Sequence, residues 1–254
     1  MPYFRKLDEN WLGIELELFN KIGALHKVSH KLSKLDINIE YLETTEVSGE
    51  IYKLFMVLSS SQPIDYKVLE KELITEKEFV KDVVEASEFN KVIFSSKHYL
   101  KDLGGIRAIL LEEGAMNGFI KGIRGALGAE AGSHLLYHIG FGVGKSLYEN
   151  FLRHMSREDM NRLLVGIRAL YHGLGWGMVA SDRLVGEDEL SITLLDNWEC
   201  SLYDVASIEP EGSFTRGVLS GILSIYSGKK VVAVENSCIA RGDPFCIFRL
   251  SILK

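Results

Sequence analysis

The sequence predicts an α+β protein made of two domains, and three observations lead there. Between residues 11 and 87, apolar runs and amphipathic runs alternate in the order strand, helix, strand, strand, helix, strand. That is the order of a ferredoxin-like βαββαβ module with helices on one side of its sheet. From residue 106 onward, helices come first and long strands follow, the pattern of helices packed on an antiparallel sheet. Between the two, from Gly104 on, glycine becomes frequent. The expected division is a first domain over 1–90, a connector over 91–105 and a second domain over 106–254. With 254 residues, 46 % of them hydrophobic, each half can bury a core of its own.

Leu12–Phe19 reads as the first strand, broken by Asn20-Lys21-Ile22-Gly23. A helix follows with Leu25, Val28, Leu32 and Leu35 on one face. Ile37–Thr44 and Ile51–Leu58 are strands around a Val47–Glu50 turn. Ile64–Leu73 is a helix with Ile64, Val68 and Leu69 inward, and Glu78–Glu85 closes the sheet.

In the second domain, Ile106–Glu112 reads as a strand, Asn117–Ala126 as a short helix and Ala129–Met155 as a long one. Ser156-Arg157-Glu158-Asp159 has the composition of an N-cap, opening a helix over Met160–Gly173. Met178–Val185 is a strand. Leu190–Tyr203 reads as one long strand, with Leu190, Ile192, Leu194, Trp198, Cys200 and Leu202 on one face. Ser213–Ser227 is a helix stopped by Gly228; Lys230–Glu235 and Phe245–Leu253 are the last strands.

Composition excludes several classes. The formal net charge is −6 and the basic residues are interleaved with acids, so no basic face for nucleic acid is expected. No apolar run approaches the roughly 18 residues of a membrane span, and the charged N-terminus does not read as a signal peptide. Three cysteines do not make a disulfide framework. The expected compartment is the cytoplasm.

Two tempting motifs fail. Gly140-Phe-Gly-Val-Gly144-Lys145-Ser146 lacks the first glycine of a phosphate loop, having Ile139 there. His134 and His138 share a helix face, but Leu135 stands where a zincin needs Glu. No nucleophile elbow and no dinucleotide fingerprint occur, so no catalytic residue is assigned.

Asn20-Lys21-Ile22-Gly23-Ala24-Leu25, at the first strand–helix junction, resembles the same junction of ACT domains. That family binds amino acids or other small effectors, often at a dimer interface, with a glycine where Gly23 stands. The stretch Glu235-Asn-Ser-Cys238, continuing through Gly242-Asp243 to Cys246, resembles the signature of the 4-vinyl reductase domain. The resemblance covers residues 106–254. It implies a fold shared with subunits of the TRAPP tethering complex. In the phenol-responsive sensors of the family, zinc is held by this Glu, these two Cys and one further Cys just before the helix. The last position is Gly212 here. Cys200 is the remaining thiol, and it would substitute if its strand runs beside Lys230–Glu235. The alternative is that all three cysteines are small buried hydrophobes.

The resulting expectation is a regulatory sensor or carrier for a small apolar or aromatic molecule, homodimeric, with zinc at Glu235, Cys238, Cys246 and Cys200. Trp198 is the expected stacking surface, His134 or His138 the orienting donor, and Gly23 part of an effector site in the first domain. The helix glycines Gly140, Gly144, Gly217 and Gly221 leave room for close backbone approach or for the ligand. Alternatives are a reductase or accessory enzyme of a tetrapyrrole or aromatic pathway, and a scaffold subunit of a complex.

Overall fold

The computed structural model describes residues 3–5, 10–95, 107, 109, 111–153, 159–186, 188–203 and 211–253. The chain divides into two compact units, Met1–Leu110 and Leu111–Lys254, both mixed α and β with antiparallel sheets.

The first unit runs β1 (Tyr3–Arg5), β2 (Trp11–Phe19), α1 (Ala24–Lys34), β3 (Asn38–Ser48), β4 (Ile51–Ser59), α2 (Tyr66–Ile74), β5 (Val80–Glu85), β6 (Ser87–Phe89) and β7 (Val92–Phe94). Its main sheet has the order β3-β4-β2-β5, antiparallel throughout. Alternation on β2 turns Ile14, Leu16 and Leu18 toward one core, where they join Val28 and Leu32 of α1 and Leu69 and Leu73 of α2. Asp65 caps α2 by accepting from the Lys67 and Val68 N–H groups at 2.8 and 3.3 Å. Leu25 and Val68, expected inward, are 46 % and 53 % exposed. The buried faces instead run Ala24–Val28–Leu32 and Leu69–Leu73, at steps of four that turn both neighbours outward.

The other side of this sheet is also covered. Strands β1, β7 and β6 form a small second sheet, and Ile93 of β7 packs with Phe55, Val57 and Ala86. A Cβ on Gly13 would lie 2.1 Å from Ile93 Cγ2, so only glycine fits beneath that side chain. Strand β7 lies within the stretch read as connector; three-residue strands are too short to show a period. Residues 96–106, the remainder of the connector and the first residue of the expected Ile106–Glu112 strand, lie outside the described residues, as do 108 and 110 of that strand.

The second unit runs α3 (Glu113–Leu127), α4 (Ala129–Leu147), a π-helical turn (Tyr148–Leu152), α5 (Met160–Gly173), β8 (Met178–Gly186), β9 (Glu189–Leu195), α6 (Trp198–Ser201), α7 (Ser213–Ser227), β10 (Val231–Ser237), a 3-10 turn (Ile239–Arg241) and β11 (Cys246–Ile252). The sheet order is β10-β11-β9-β8. Asp159 caps α5, accepting from Asn161 and Arg162 N–H; Ser156 to Glu158 lie outside the described residues.

Helix α7 is the centre of this unit, buried from Ser213 through Leu223 except Arg216. Its contact with α4 is backbone on backbone. A Cβ on Gly140 or Gly144 would lie 2.2 or 2.1 Å from the Phe214 or Val218 carbonyl oxygen. Gly217 and Gly221 stand in the same relation to the Tyr137 and Phe141 oxygens, at 2.1 and 2.2 Å. The matched steps of four make the helices parallel. These glycines therefore admit a neighbouring helix, and the room expected there for a ligand is filled.

The expected long strand over Leu190–Tyr203 stops at Leu195. Asp196 has φ 52°, which ends the extended backbone, and Asn197 opens the one-turn helix α6. The apolar positions that seemed to continue a strand face are buried by that turn. Among the described residues, no helix is long and apolar enough to cross a membrane.

Candidate metal and ligand site

Three chain segments converge at the start of α7. The first is the turn after β9. Asn197, Glu199 and Cys200 are all at most 1 % exposed there. The Glu199 carboxylate accepts from the Phe214 and Thr215 N–H groups, both at 2.8 Å, so a buried acid satisfies the first turn of α7. Burial pushes the Glu199 carboxyl up to about 7, against the lowering effect of those two N–H groups.

The second segment is the end of β10, where a bulge at Glu235–Ser237 shifts the register against β11. Glu235 turns inward and accepts from the Gly212 N–H at 2.9 Å. Cys238 follows the bulge. Its N–H donates to Asp243 Oδ2 at 2.8 Å, and Gly242 supplies the positive φ of 88° that the turn needs. The third segment is β11, which starts at Cys246.

Together these place Cys200, Glu235, Cys238 and Cys246 with one ligand atom each within 4.8 Å of one another, all buried. The Cys200 and Cys238 sulfurs are 3.5 Å apart, and the Cys200 thiol donates to Glu235 Oε1 at 3.6 Å. A tetrahedral zinc with bonds of about 2.3 Å to sulfur sets its sulfur ligands about 3.8 Å apart. Both the donor set and its spacing fit such an ion.

The electrostatics have the same sense. Hydrogen bonds from the Cys200 and Cys246 thiols hold the Cys238 thiol well below its ordinary range. Cys200 is pushed up by its bonds to Cys238 and Cys246 and by burial. Cys246 receives a lowering bond from Cys200, yet Cys238 and burial raise it overall. Burial, with Cys238 beside it, pushes Glu235 up to about 8, opposed by the Gly212 N–H. These groups strain to stay neutral without a cation.

All four sequence-assigned ligands are brought together, but not by the expected route: Cys200 arrives on α6, not on a strand beside β10. Gly212 lies against the same carboxylate.

Trp198, next to Cys200 on α6, is 8 % exposed and packs in an aromatic cluster. Its ring centre is 6.5 Å from Trp176 and 5.7 Å from Phe214; Trp176 is 5.7 Å from Tyr171. The Trp198 indole Nε1 and the Tyr171 hydroxyl are buried without a hydrogen-bond partner among the described residues. His134 and His138 are exposed on α4, so they do not share this interior. Gly23 stands in the first unit with φ 87° at the start of α1, with open space at its Cβ position. Sequence reading missed Asn197, Glu199, Tyr171, Trp176 and Phe214. Gly175-Trp176-Gly177, an aromatic residue between two glycines of positive φ, is the signal that could have found part of this cluster. An open groove of about 680 Å³ on the outer sheet face, lined by Arg183, Thr193, Ile247 and Arg249 among others, contains none of these groups.

No family model matches the chain, and no curated protein does. Among solved structures, the phenol-responsive sensory domain of the transcription activator PoxR, with phenol, aligns with a TM-score of 0.53 at 21 % identity, over 59 % of this chain and 79 % of that one. The aligned part of the chain shares that fold. A vinyl-4-reductase family protein from Methanocaldococcus jannaschii aligns at 0.42 and 19 % identity, over 58 % and 85 %. The ACT domain of a GTP pyrophosphokinase from Chlorobium tepidum aligns at 0.26 and 18 % identity, over 31 % and 99 %.

Proposed function

We propose that the second unit is a small-molecule sensor or carrier domain of the 4-vinyl reductase type, which binds an apolar or aromatic ligand without transforming it. The observation that carries this reading is the Tyr171–Trp176–Trp198–Phe214 cluster, with two buried donors left unpaired. Leaving such a group unmet costs about 1–3 kcal/mol. A ligand with an aromatic ring and one acceptor oxygen would remove that cost. The fold shared with a sensory domain solved with phenol supports the same reading. His134 and His138 drop out of the proposed ligand set because they are exposed.

Zinc is the proposed resident ion, held by Cys200, Glu235, Cys238 and Cys246; it would supply cohesion between α6 and the last two strands. The first unit, with its βαββαβ main sheet, is proposed as a ferredoxin-like, ACT-like regulatory module, with Gly23 beside its effector site. The proposed domain limits remain 1–90 and 106–254. A cytoplasmic homodimer is the proposed state, supported by exposed Phe119, Leu127 and Leu135 on α3 and α4; light scattering showing a monomer at micromolar concentration would contradict it.

A thermal-shift screen with phenols, other aromatics and aliphatic compounds tests the central reading. A true ligand raises the melting temperature and is recovered unchanged. No shift from any compound sinks the reading; steady chemical turnover replaces it with the reductase or accessory-enzyme alternative.

A further inference from the structure

Each of the four clustered donor atoms receives an N–H group, and three of the four donors are backbone. The Glu211 N–H donates to Cys238 Sγ at 3.5 Å, the Ile239 N–H to Cys246 Sγ at 3.5 Å, and the Gly212 N–H to Glu235 Oε2 at 2.9 Å. Cys200 is different. Among the described residues, its N–H donor is a side chain: Asn197 Nδ2 lies 3.1 Å from Cys200 Sγ and 3.8 Å from Cys246 Sγ.

Asn197 has no exposed surface. It occupies the N-cap position of α6, where asparagine ordinarily accepts from the helix N–H groups, yet it makes no such bond. Its Oδ1 instead accepts from the Thr215 hydroxyl at 3.1 Å, in the first turn of α7. That bond fixes the amide orientation. The NH₂ end faces the sulfurs, because the reverse orientation would set an oxygen lone pair against them and give up the Thr215 hydroxyl's bond to Oδ1.

We propose that Asn197 is a positioning residue for the metal centre, donating N–H to the Cys200 and Cys246 sulfurs and anchored by Thr215. The inference rests on the reading that these four residues hold a divalent ion. Three thiolates and a carboxylate around one divalent cation leave excess negative charge in a buried place. N–H donors aimed at the sulfurs offset it and hold the ligands in position. Cys200 comes from a turn whose backbone N–H groups point elsewhere, so the amide side chain serves it where the peptide does not.

The test uses the full chain loaded with cobalt(II) as a spectroscopic substitute for zinc. Affinity is read by chelator competition, and sulfur-to-metal charge transfer by near-ultraviolet absorption. Wild type should show charge transfer from three thiolates, and Cys200→Ser, at cobalt concentrations high enough to fill its weakened site, should lose about a third of it. Asn197→Asp keeps the shape and the Thr215 bond but removes the donor. It should weaken cobalt binding about tenfold to a hundredfold and move the charge-transfer band to lower energy, because sulfur without its N–H partner is easier to oxidise. Thr215→Val, which frees the amide, should move the band the same way by less, and it serves if the Asp variant does not fold. Unchanged affinity and band in the folded Asp variant, or in the Val variant if the Asp variant does not fold, overturn the role of Asn197. If wild type shows no thiolate charge transfer at all, the metal reading itself fails, and this inference with it.

Discussion

Gly212 lies directly against Glu235: its N–H donates to the carboxylate at 2.9 Å, and a Cβ placed on it would stand 2.9 Å from both carboxylate oxygens. A cysteine here would reach the four-residue cluster with little adjustment, since its nearest neighbours are the ends of side chains. Cys200→Ser should therefore lose most of its zinc, and adding Gly212→Cys should restore content toward about one ion per chain, because a structural site needs four ligands. Elemental analysis of the single and double variants checks this. A double variant as poor in metal as the single one contradicts it.

The parallel contact of α4 with α7 makes opposite predictions for neighbouring glycines. Gly144→Ala and Gly217→Ala force a methyl group onto backbone and should each cost about 2–3 kcal/mol, or more. Gly142, on the same helix, has nothing within 4 Å of its Cβ position. Gly142→Ala should stabilise by about 0.5–1 kcal/mol, as alanine does in a helix interior. Urea unfolding monitored by circular dichroism measures all three.

Tyr171 carries a hydroxyl that is buried and unpaired. Its removal in Tyr171→Phe should leave the ligand-free protein as stable as before, or more stable by about 1 kcal/mol. The same change should weaken a hydroxyl- or carbonyl-bearing ligand by about tenfold. Loss of stability with unchanged binding would show that the hydroxyl is bonded within the protein and does not meet a ligand.

Zinc binding should release protons. Near neutral pH without metal, Glu235, pushed up to about 8, holds its proton, and Cys200 and Cys246, both pushed up, remain thiols, while Cys238 is held below its ordinary range. An incoming ion displaces protons from the first three. Lower pH favours the protonated, metal-free form, so affinity should rise between about pH 6 and about pH 8. Calorimetry in buffers of different ionisation enthalpy counts the protons; a count of zero contradicts this assignment of charge.

The sequence was most legible where one segment decides its own structure. Helices α5 and α7 fall on the residues expected, because a local cap at Asp159 and a stop at Gly228 bound an amphipathic run. The Leu190–Tyr203 segment misled because its apolar positions fit period two on either side of Asp196, and nothing local announces that Asp196 adopts φ 52°. Cys200 was placed with the other ligands by counting thiols, but the turn that delivers it depends on Glu199 and Asn197 bonding to α7, partners 15 to 18 residues away. The small β1-β7-β6 sheet joins the N-terminus to a hairpin far along the chain, a pairing that local period cannot reveal.

In the segment Asn197-Trp198-Glu199-Cys200, each side chain is assigned to a different neighbour: sulfur and threonine, aromatic cluster, helix N-terminus, metal cluster. One residue inserted after Leu195 would turn every one of them by about 100° about the helix axis. The indole would then face the N-terminus of α7 and the carboxylate the thiols, leaving α7 uncapped. Relatives of this protein should accordingly vary in length within the stretch between α6 and α7, or along α3, but keep a constant count from the end of β9 to Cys200. Where that count changes, all four assignments should be lost together, and a cysteine at position 212 would replace only the lost metal ligand.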